Sequence, residues 1–188
     1  MTELVFFLEE RSAKLMLEGF LPSILPEDEN IYCRYVVFEG KSDLQKNLFR
    51  KLKAWQNNDA KFIVLHDKDS NDCMQIKEKL TNICQSSGKS NTLVRIACHE
   101  LESWYLGDLL AVERGLGLFG LERQRNNRKF RTPDNIGNAF QELSRLTRDK
   151  YQKISGSRSI APYLDIERNQ SRSFRVFVEG VRGILSNN

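Results

Sequence analysis

Short apolar runs alternate with amphipathic segments through the first half of the chain. Four runs are rich in aliphatic, aromatic and β-branched residues, a composition that indicates buried β-strands. These four runs are 4–8, 31–38, 61–65 and 92–98. Three segments between them carry apolar residues at spacings of three or four, which predicts helices. These three segments are 12–25, 43–55 and 72–84. Strands that alternate with helices predict an α/β fold, an open, mostly parallel sheet with helices on both faces.

The pattern changes after Leu106, where the predicted elements become mainly helical. Helices are predicted at 108–114, 134–148 and 173–185, and a basic loop lies between the first two. We therefore expect two parts, an α/β core at 1–108 and a basic, mainly helical extension at 109–188 that packs on it. The five basic side chains of this loop are Arg123, Arg125, Arg128, Lys129 and Arg131.

Charge is divided unevenly between these two parts. Residues 1–108 contain 14 Lys and Arg and 17 Asp and Glu, a net charge of −3, whereas residues 109–188 contain 15 and 8, a net charge of +7. An acidic half joined to a basic half is typical of a cation-using site beside a polyanion-binding surface. A basic excess that only keeps the protein soluble is an equally good explanation of the charge taken alone.

Composition excludes several classes of protein. With 188 residues, 40% hydrophobic and 29% charged, the chain is typical of globular domains. Its apolar runs are far shorter than the roughly 20 residues that cross a bilayer, and its start lacks the basic segment of a signal peptide. The four cysteines form no C-x-x-C pair. We therefore expect a reduced, cytoplasmic protein that does not bind a membrane.

Acidic residues gather where the predicted strands end. Because the carboxyl ends of parallel strands meet at one edge of the sheet, these side chains are expected to lie near one another. Such a cluster would repel strongly without a cation, and hard ions such as Mg²⁺ or Mn²⁺ prefer oxygen ligands. The acidic residues are Glu9, Glu10, Asp67, Asp69, Asp72, Glu100 and Glu102.

Two alternatives to this interpretation remain. Asp72 and Asp69 precede a predicted helix and could instead cap its first turn. Glu39, in the run Phe38-Glu39-Gly40-Lys41-Ser42-Asp43, competes with Glu9 as the partner of Asp67. Spacing favours Glu9, because only the 58 residues between Glu9 and Asp67 have room for a helix, a strand and a second helix. Lys41 could still reach the site.

An acidic residue after the first strand and an Asp-x-Asp after the third resemble the Toprim domain of topoisomerases, primases and overcoming-lysogenization-type nucleases. Glu9 takes the position of that family's glutamate, and Asp67 and Asp69 take its aspartate positions. The resemblance implies a Toprim-like core at 1–108 in which these side chains bind Mg²⁺ and act on phosphodiesters.

The whole chain more narrowly resembles domain-of-unknown-function family 4276, small bacterial proteins with a Toprim-like core. Members are often encoded beside ATPases of the ABC or recombination-repair type. This resemblance implies the effector subunit of a DNA-maintenance or anti-phage defence system. The segments that carry it are Phe7-Leu8-Glu9-Glu10-Arg11-Ser12, Gly40-Lys41-Ser42-Asp43-Leu44, His66-Asp67-Lys68-Asp69-Ser70-Asn71-Asp72-Cys73, the run from His99 to Asp108, Tyr151-Gln152-Lys153 and 171–174.

Two functions are compatible with these residues. In the first, the protein is a Mg²⁺- or Mn²⁺-dependent hydrolase of nucleic acid, with DNA as the expected substrate. Asp67 and Asp69 would hold the ion, and Glu9 would act as general acid or base or bind a second ion. Asp72, Glu100 and Glu102 would complete the metal site, and Lys68 or Lys41 would neutralise charge in the transition state.

The basic loop would then hold backbone phosphates together with Lys41. In the second function, the same fold is a non-catalytic module that docks an ATPase or nucleic acid. The sequence leaves homo-oligomer formation open.

Overall fold

One parallel sheet lies at the centre of the protein. The computed structural model describes residues 1–27, 29–68 and 72–186, and within them four strands form this sheet. The strands are β1 (Thr2–Leu8), β2 (Ile31–Val37), β3 (Lys61–Asp67) and β4 (Leu93–Ala97). Their order in the sheet is β2-β1-β3-β4, and all neighbouring pairs are parallel. The predicted α/β fold is therefore confirmed.

Eight α-helices lie in the same described residues, joined by short 3₁₀ turns. They are α1 (Arg11–Phe20), α2 (Lys41–Lys53), α3 (Cys73–Ser86), α4 (Glu102–Leu106), α5 (Leu109–Leu116), α6 (Ala139–Leu146), α7 (Lys153–Ile160) and α8 (Arg172–Ser186).

Helices cover both faces of the sheet because side chains alternate along each strand. On β1, Val5 and Phe7 pack into a hydrophobic cluster with α2 and α3. The intervening Leu4, Phe6 and Leu8 pack on the opposite face with α1 and the helices of the second half. On β3 the same alternation directs odd-numbered positions, up to Asp67, toward this second face.

The topology creates a crevice between β1 and β3. From β1 the chain crosses to β2 on one side, and from β3 it crosses to β4 on the other side. The helices that follow these two strands, α1 and α3, lie on opposite faces of the sheet. Ligands of open α/β sheets bind at such a switch point, outside the carboxyl ends of the strands.

Both halves of the chain contribute to one hydrophobic core. Phe174 and Phe177 of α8 are fully buried in the cluster that contains Leu4 and Phe6 of β1. Helix α8 lies beside β4, where the Arg95 Nε atom donates to the Val176 carbonyl at 3.1 Å. The helices beyond residue 108 thus close one face of the sheet.

Several predicted helices differ from the observed ones. The helix predicted at 12–25 ends at Phe20, because Pro22 lies in the 3₁₀ turn that follows. The helix predicted at 134–148 is wrong in its first third, where a 3₁₀ turn over Pro133–Asn135 and the pair Gly137-Asn138 precede α6. Helices α4 and α7 were not predicted.

Helix length bears on whether the chain could enter a bilayer. Helix α8, the longest, has 15 residues and carries Arg172, Arg175, Glu179 and Arg182. Within the described ranges, no helix is long and apolar enough to span a membrane.

All four cysteines are free thiols.

Candidate functional site

Two acidic residues meet at the crevice between β1 and β3. Glu9 follows β1, and Asp67 is the last residue of β3. Pairing between the two strands ends at Leu8 and Leu65, so the Asp67 N–H lies beyond the ladder. It donates instead to the Glu9 Oε2 atom at 3.2 Å. Glu9 is only 9% exposed, so its carboxylate is buried where the two strands end.

His66 orients the Glu9 carboxylate from the other face of β3. Its Nδ1 atom lies 3.4 Å from Glu9 Oε2 and also contacts the Asp67 carbonyl oxygen. Its Nε2 atom lies 3.3 Å from the Gln45 amide nitrogen, and Lys79 Nζ donates to the Gln45 oxygen at 2.7 Å. Since the Gln45 nitrogen can only donate, His66 accepts through Nε2 and carries its proton on Nδ1. The Nδ1 atom therefore donates toward the Asp67 carbonyl oxygen and Glu9 Oε2.

Asp67 faces a second buried carboxylate, Glu102, at the start of α4. Glu102 is 1% exposed, and the Tyr151 hydroxyl donates to its Oε1 atom at 2.9 Å. Burial raises the pKa of Glu102. Burial also raises the pKa of Asp67 well above its usual range, and the negative charges of Glu9, Glu102 and Glu10 raise it further. The site thus holds more negative charge than its surroundings stabilise.

Lys153 is a cation that lies beside this cluster. It is the first residue of α7, and its Nζ atom lies 3.1 and 3.5 Å from the two carboxylate oxygens of Glu10. The same ammonium group lies 5.7 Å from the centre of the Phe140 ring. Burial lowers the pKa of Lys153, but Glu102, Glu10 and Asp67 together raise it above its usual value. The lysine therefore stays charged beside the carboxylates.

Tyr105 adds a buried hydroxyl without a hydrogen-bond partner within the described part of the chain. Its side chain is fully buried, and its ring packs against the Tyr151 ring with centroids 5.8 Å apart. Burial raises the pKa of Tyr105, and the charges of Glu102 and Asp67 raise it further. Ser157 lies close enough to lower this pKa but not in hydrogen-bonding geometry. An unpaired hydroxyl of this kind costs about 1–3 kcal/mol.

A tight turn after β4 brings α4 to the site. The Glu100 N–H donates to the Cys98 carbonyl at 3.1 Å, which places His99 between them at a φ of 65°. This left-handed conformation is costly for a residue with a Cβ atom. The Glu100 carboxylate accepts from the Phe140 N–H at 2.8 Å, in the first turn of α6. The Glu100 carboxylate is therefore hydrogen-bonded to the first turn of α6, whereas Glu102 lies near Asp67.

The other residues predicted for the metal site lie apart from this cluster or outside the described ranges. Asp72 is exposed and caps α3, accepting from the Met74 and Gln75 N–H groups at 2.8 and 3.0 Å. Asp69 lies outside the described residues. Across the ranges that are described, no three His, Cys, Asp or Glu side chains form a metal-binding set by themselves.

The two lysines predicted to assist the chemistry lie on neighbouring segments. Lys68 follows β3, and its N–H donates to the Ala97 carbonyl at 2.9 Å, which extends the pairing with β4. Lys41 is the first residue of α2 and lines a groove with Asp72 and Lys79.

The basic loop divides into paired and exposed side chains. Arg125 lies 3.8 Å from Glu122, and Lys129 forms an ion pair with Glu142. The remaining three are exposed and have no ion pair with any described residue: Arg123, Arg128 and Arg131.

Sequence reasoning did not assign site roles to several residues. The alternation along β3 places His66 on the face opposite Asp67. Its contacts with Glu9 and with Gln45 of α2 join separate elements of the fold, so the local pattern does not predict them. Lys153 and Tyr151 lie in a segment that carried the family resemblance, which was the available signal for them. Their partners, Glu10 and Glu102, are 143 and 49 positions away.

Comparison with known proteins identifies a family. Residues 8–182 match the model of a domain of unknown function, DUF4276. No curated protein and no solved structure matches the chain. The family match includes β3, β4, α7 and all the site residues described above. The chain therefore belongs to the DUF4276 family.

Proposed function

We propose that this protein is a Mg²⁺- or Mn²⁺-dependent phosphodiester hydrolase that acts on nucleic acid. The observation that carries the proposal is the meeting of Glu9 and Asp67 at the topological switch point, with the Asp67 N–H 3.2 Å from Glu9 Oε2. A hard cation would offset the negative charge gathered here, because burial and the charge of Glu9 both raise the pKa of Asp67.

The chemistry of these side chains fits a hard divalent cation. Mg²⁺ is commonly held by one or two carboxylates and keeps several of its waters, so Asp67 together with Asp69 would be enough to hold it. When bound, the ion would polarise a phosphoryl oxygen and lower the pKa of a bound water. Glu102 is 1% exposed and accepts a hydrogen bond from the Tyr151 hydroxyl. It would line the buried side of the site.

Glu9 is the residue we assign to proton transfer. It is held by the Asp67 N–H on one side and faces the Nδ1 atom of His66 on the other. These two contacts fix the orientation of the carboxylate at the end of β1. A carboxylate held in this way can accept a proton from an attacking water.

The finer parts of the proposal rest on the resemblance to Toprim domains. A glutamate after the first strand, an Asp-x-Asp at the third and a parallel α/β core support that relationship. We propose DNA as the substrate, an ABC- or recombination-repair-type ATPase as the partner, and the cytoplasm as the place of action. An anti-phage or DNA-maintenance role follows from the ATPase partner.

Metal binding can be measured directly on the purified protein. We expect Mn²⁺ at 100 times its Kd to stabilise the wild type by about 2.7 kcal/mol, which raises the Tm by roughly 5–10 °C. Cleavage of plasmid DNA should require the same ion and should be assayed with and without the neighbouring ATPase. The control is a monovalent salt at equal ionic strength. No shift in Tm and no cleavage with the ATPase present would leave the non-catalytic docking module.

The exposed basic residues lead to a second measurement. Changing Arg123, Arg128 and Arg131 to Ala should weaken DNA binding and reduce the slope of log K against log salt by roughly 0.9 per lost phosphate contact. The matched control changes three exposed basic residues at the end of α2, which removes the same charge elsewhere: Arg50, Lys51 and Lys53. If both triple variants change the slope equally, the loop is not the binding surface.

A further inference from the structure

Lys153 lies at a helix position that does not by itself favour a lysine. It occupies the first position of α7, where the helix dipole disfavours a positive charge. Its Gln152 N-cap supplies no side-chain hydrogen bond to offset this. The carboxylate cluster favours the position, since Nζ lies 3.1 Å from Glu10 and the charges of Glu102 and Asp67 raise the pKa of Lys153.

We infer that Lys153 is a catalytic residue whose ammonium group stabilises the negative charge that develops on the scissile phosphate. The inference rests on the proposed function. Lys153 approaches the carboxylate cluster from α7, with its Nζ atom on Glu10, and is half-buried. A preorganised donor in a crevice lined by carboxylates is worth more than one in open water.

The reaction in which Lys153 would act is hydrolysis of one ester bond. A water oxygen forms a bond to phosphorus as the bond from phosphorus to the leaving oxygen breaks with its electron pair. One proton of the water passes to the Glu9 carboxylate, and the leaving oxygen takes a proton from solvent. Lys153 donates a hydrogen bond to a non-bridging oxygen throughout and keeps its own proton.

The arrangement also explains the role of Glu10. Its carboxylate binds Lys153 Nζ with both oxygens, at 3.1 and 3.5 Å, while the Ser12 hydroxyl donates to Glu10 Oε2 at 3.4 Å. The side chains of Glu10 and Lys153 are about equally exposed, 40% and 39%. Glu10 therefore acts as a positioning residue that holds the ammonium group near the crevice.

The test compares Lys153→Met with Lys14→Met. Lys14 forms an ion pair with Glu18 at 3.6 Å, with side chains 38% and 43% exposed, so it matches Lys153 in pairing and exposure but belongs to α1. We expect Lys153→Met to lower Mn²⁺-dependent cleavage by about 10²–10³-fold, while the Mn²⁺-induced rise in Tm is retained or enlarged. Lys14→Met should change neither. Lys153→Arg, which keeps the charge, should recover part of the lost cleavage.

Two further readouts separate the possible failures. If Lys153→Met is poorly folded, the double variant Glu10→Gln with Lys153→Met restores the charge balance and should recover the Tm but not the cleavage. Cleavage at the wild-type level in either variant, with the fold intact, would overturn the role of Lys153 and leave the proposed function standing. A wild type that neither gains Tm with Mn²⁺ nor cleaves DNA would overturn both.

Discussion

Asp67→Asn is expected to abolish Mn²⁺-dependent cleavage while the fold remains intact. The change is nearly isosteric and retains an oxygen, but it removes the charge that a hard cation requires. Loss of the ion removes several kcal/mol of transition-state stabilisation, and each 1.36 kcal/mol is tenfold in rate, so we expect a decrease of about 10³-fold. The Mn²⁺-induced rise in Tm should disappear in the same variant.

The same substitution should raise the Tm in metal-free buffer, with a defined pH dependence. The pKa of Asp67 is raised in the folded protein by burial and by Glu9, so its ionisation opposes folding. This penalty is absent at pH values below its ordinary pKa of 3.8 and grows as the pH rises through the raised pKa. The Tm difference between Asp67→Asn and wild type should therefore widen as the pH rises above about 4 and become constant once the pH exceeds the raised pKa.

Asp59→Asn is the matched control for this experiment. Asp59 is exposed and precedes β3 at the opposite end of the sheet, so the same change of charge occurs far from the crevice. It should alter neither the cleavage nor the pH dependence of Tm. If Asp67→Asn still cleaves DNA with Mn²⁺, Asp67 does not bind the ion and the site assignment is wrong.

The largest loss of stability is expected from Asp108→Asn. The Asp108 carboxylate is fully buried and accepts from Arg168 Nε at 2.7 Å and from Arg168 Nη2 at 2.9 Å. It also accepts from the Ala111 N–H, which caps α5, and from the Asp165 N–H. Breaking a buried pair from one side costs about 3–5 kcal/mol. For a chain of this size we expect a Tm lower by roughly 6–20 °C.

Asp165→Asn provides the comparison, because Asp165 contacts the same arginine at the surface. Its carboxylate lies 3.5 Å from Arg168 Nη1, and its side chain is 45% exposed. The asparagine oxygen can still accept from the Glu167 and Arg168 N–H groups, so we expect a loss of about 1 kcal/mol or less. Chemical denaturation measures both variants. Equal losses of unfolding free energy in the two variants would show that the burial of Asp108 does not strengthen its pair with Arg168.

Much of the fold could be predicted from local sequence. The apolar runs, the helical spacings and the capping alternative for Asp72 are short-range features, and each corresponds to an observed strand, helix or cap. Direction follows from them as well, because strands joined by helices are parallel and their carboxyl ends coincide. The 58-residue separation of Glu9 and Asp67 was therefore enough to predict that they share one edge of the sheet.

Local sequence could not predict how far the helices extend in the second half. The helix predicted at 134–148 has the right apolar spacing, yet Asp134 instead binds Ser171 and Ser173 at the start of α8. At its other end, Arg148 and Asp149 adopt positive φ values of 51° and 61° and stop the helix. These contacts compete with helix hydrogen bonds and depend on a partner 37 residues away.

What the sequence determined by itself is the architecture and the edge of the sheet where carboxylates gather, because periodicity and strand direction are local properties. Only the tertiary structure decided which carboxylates meet and what faces them. Glu100 accepts a hydrogen bond from the first turn of α6, whereas Glu102 accepts one from Tyr151 and its charge acts on Asp67, although the two glutamates are two positions apart. Lys153 reaches Glu10 across 143 positions because α7 packs on α1. Such pairings are set by the packing of distant helices, which no local pattern encodes.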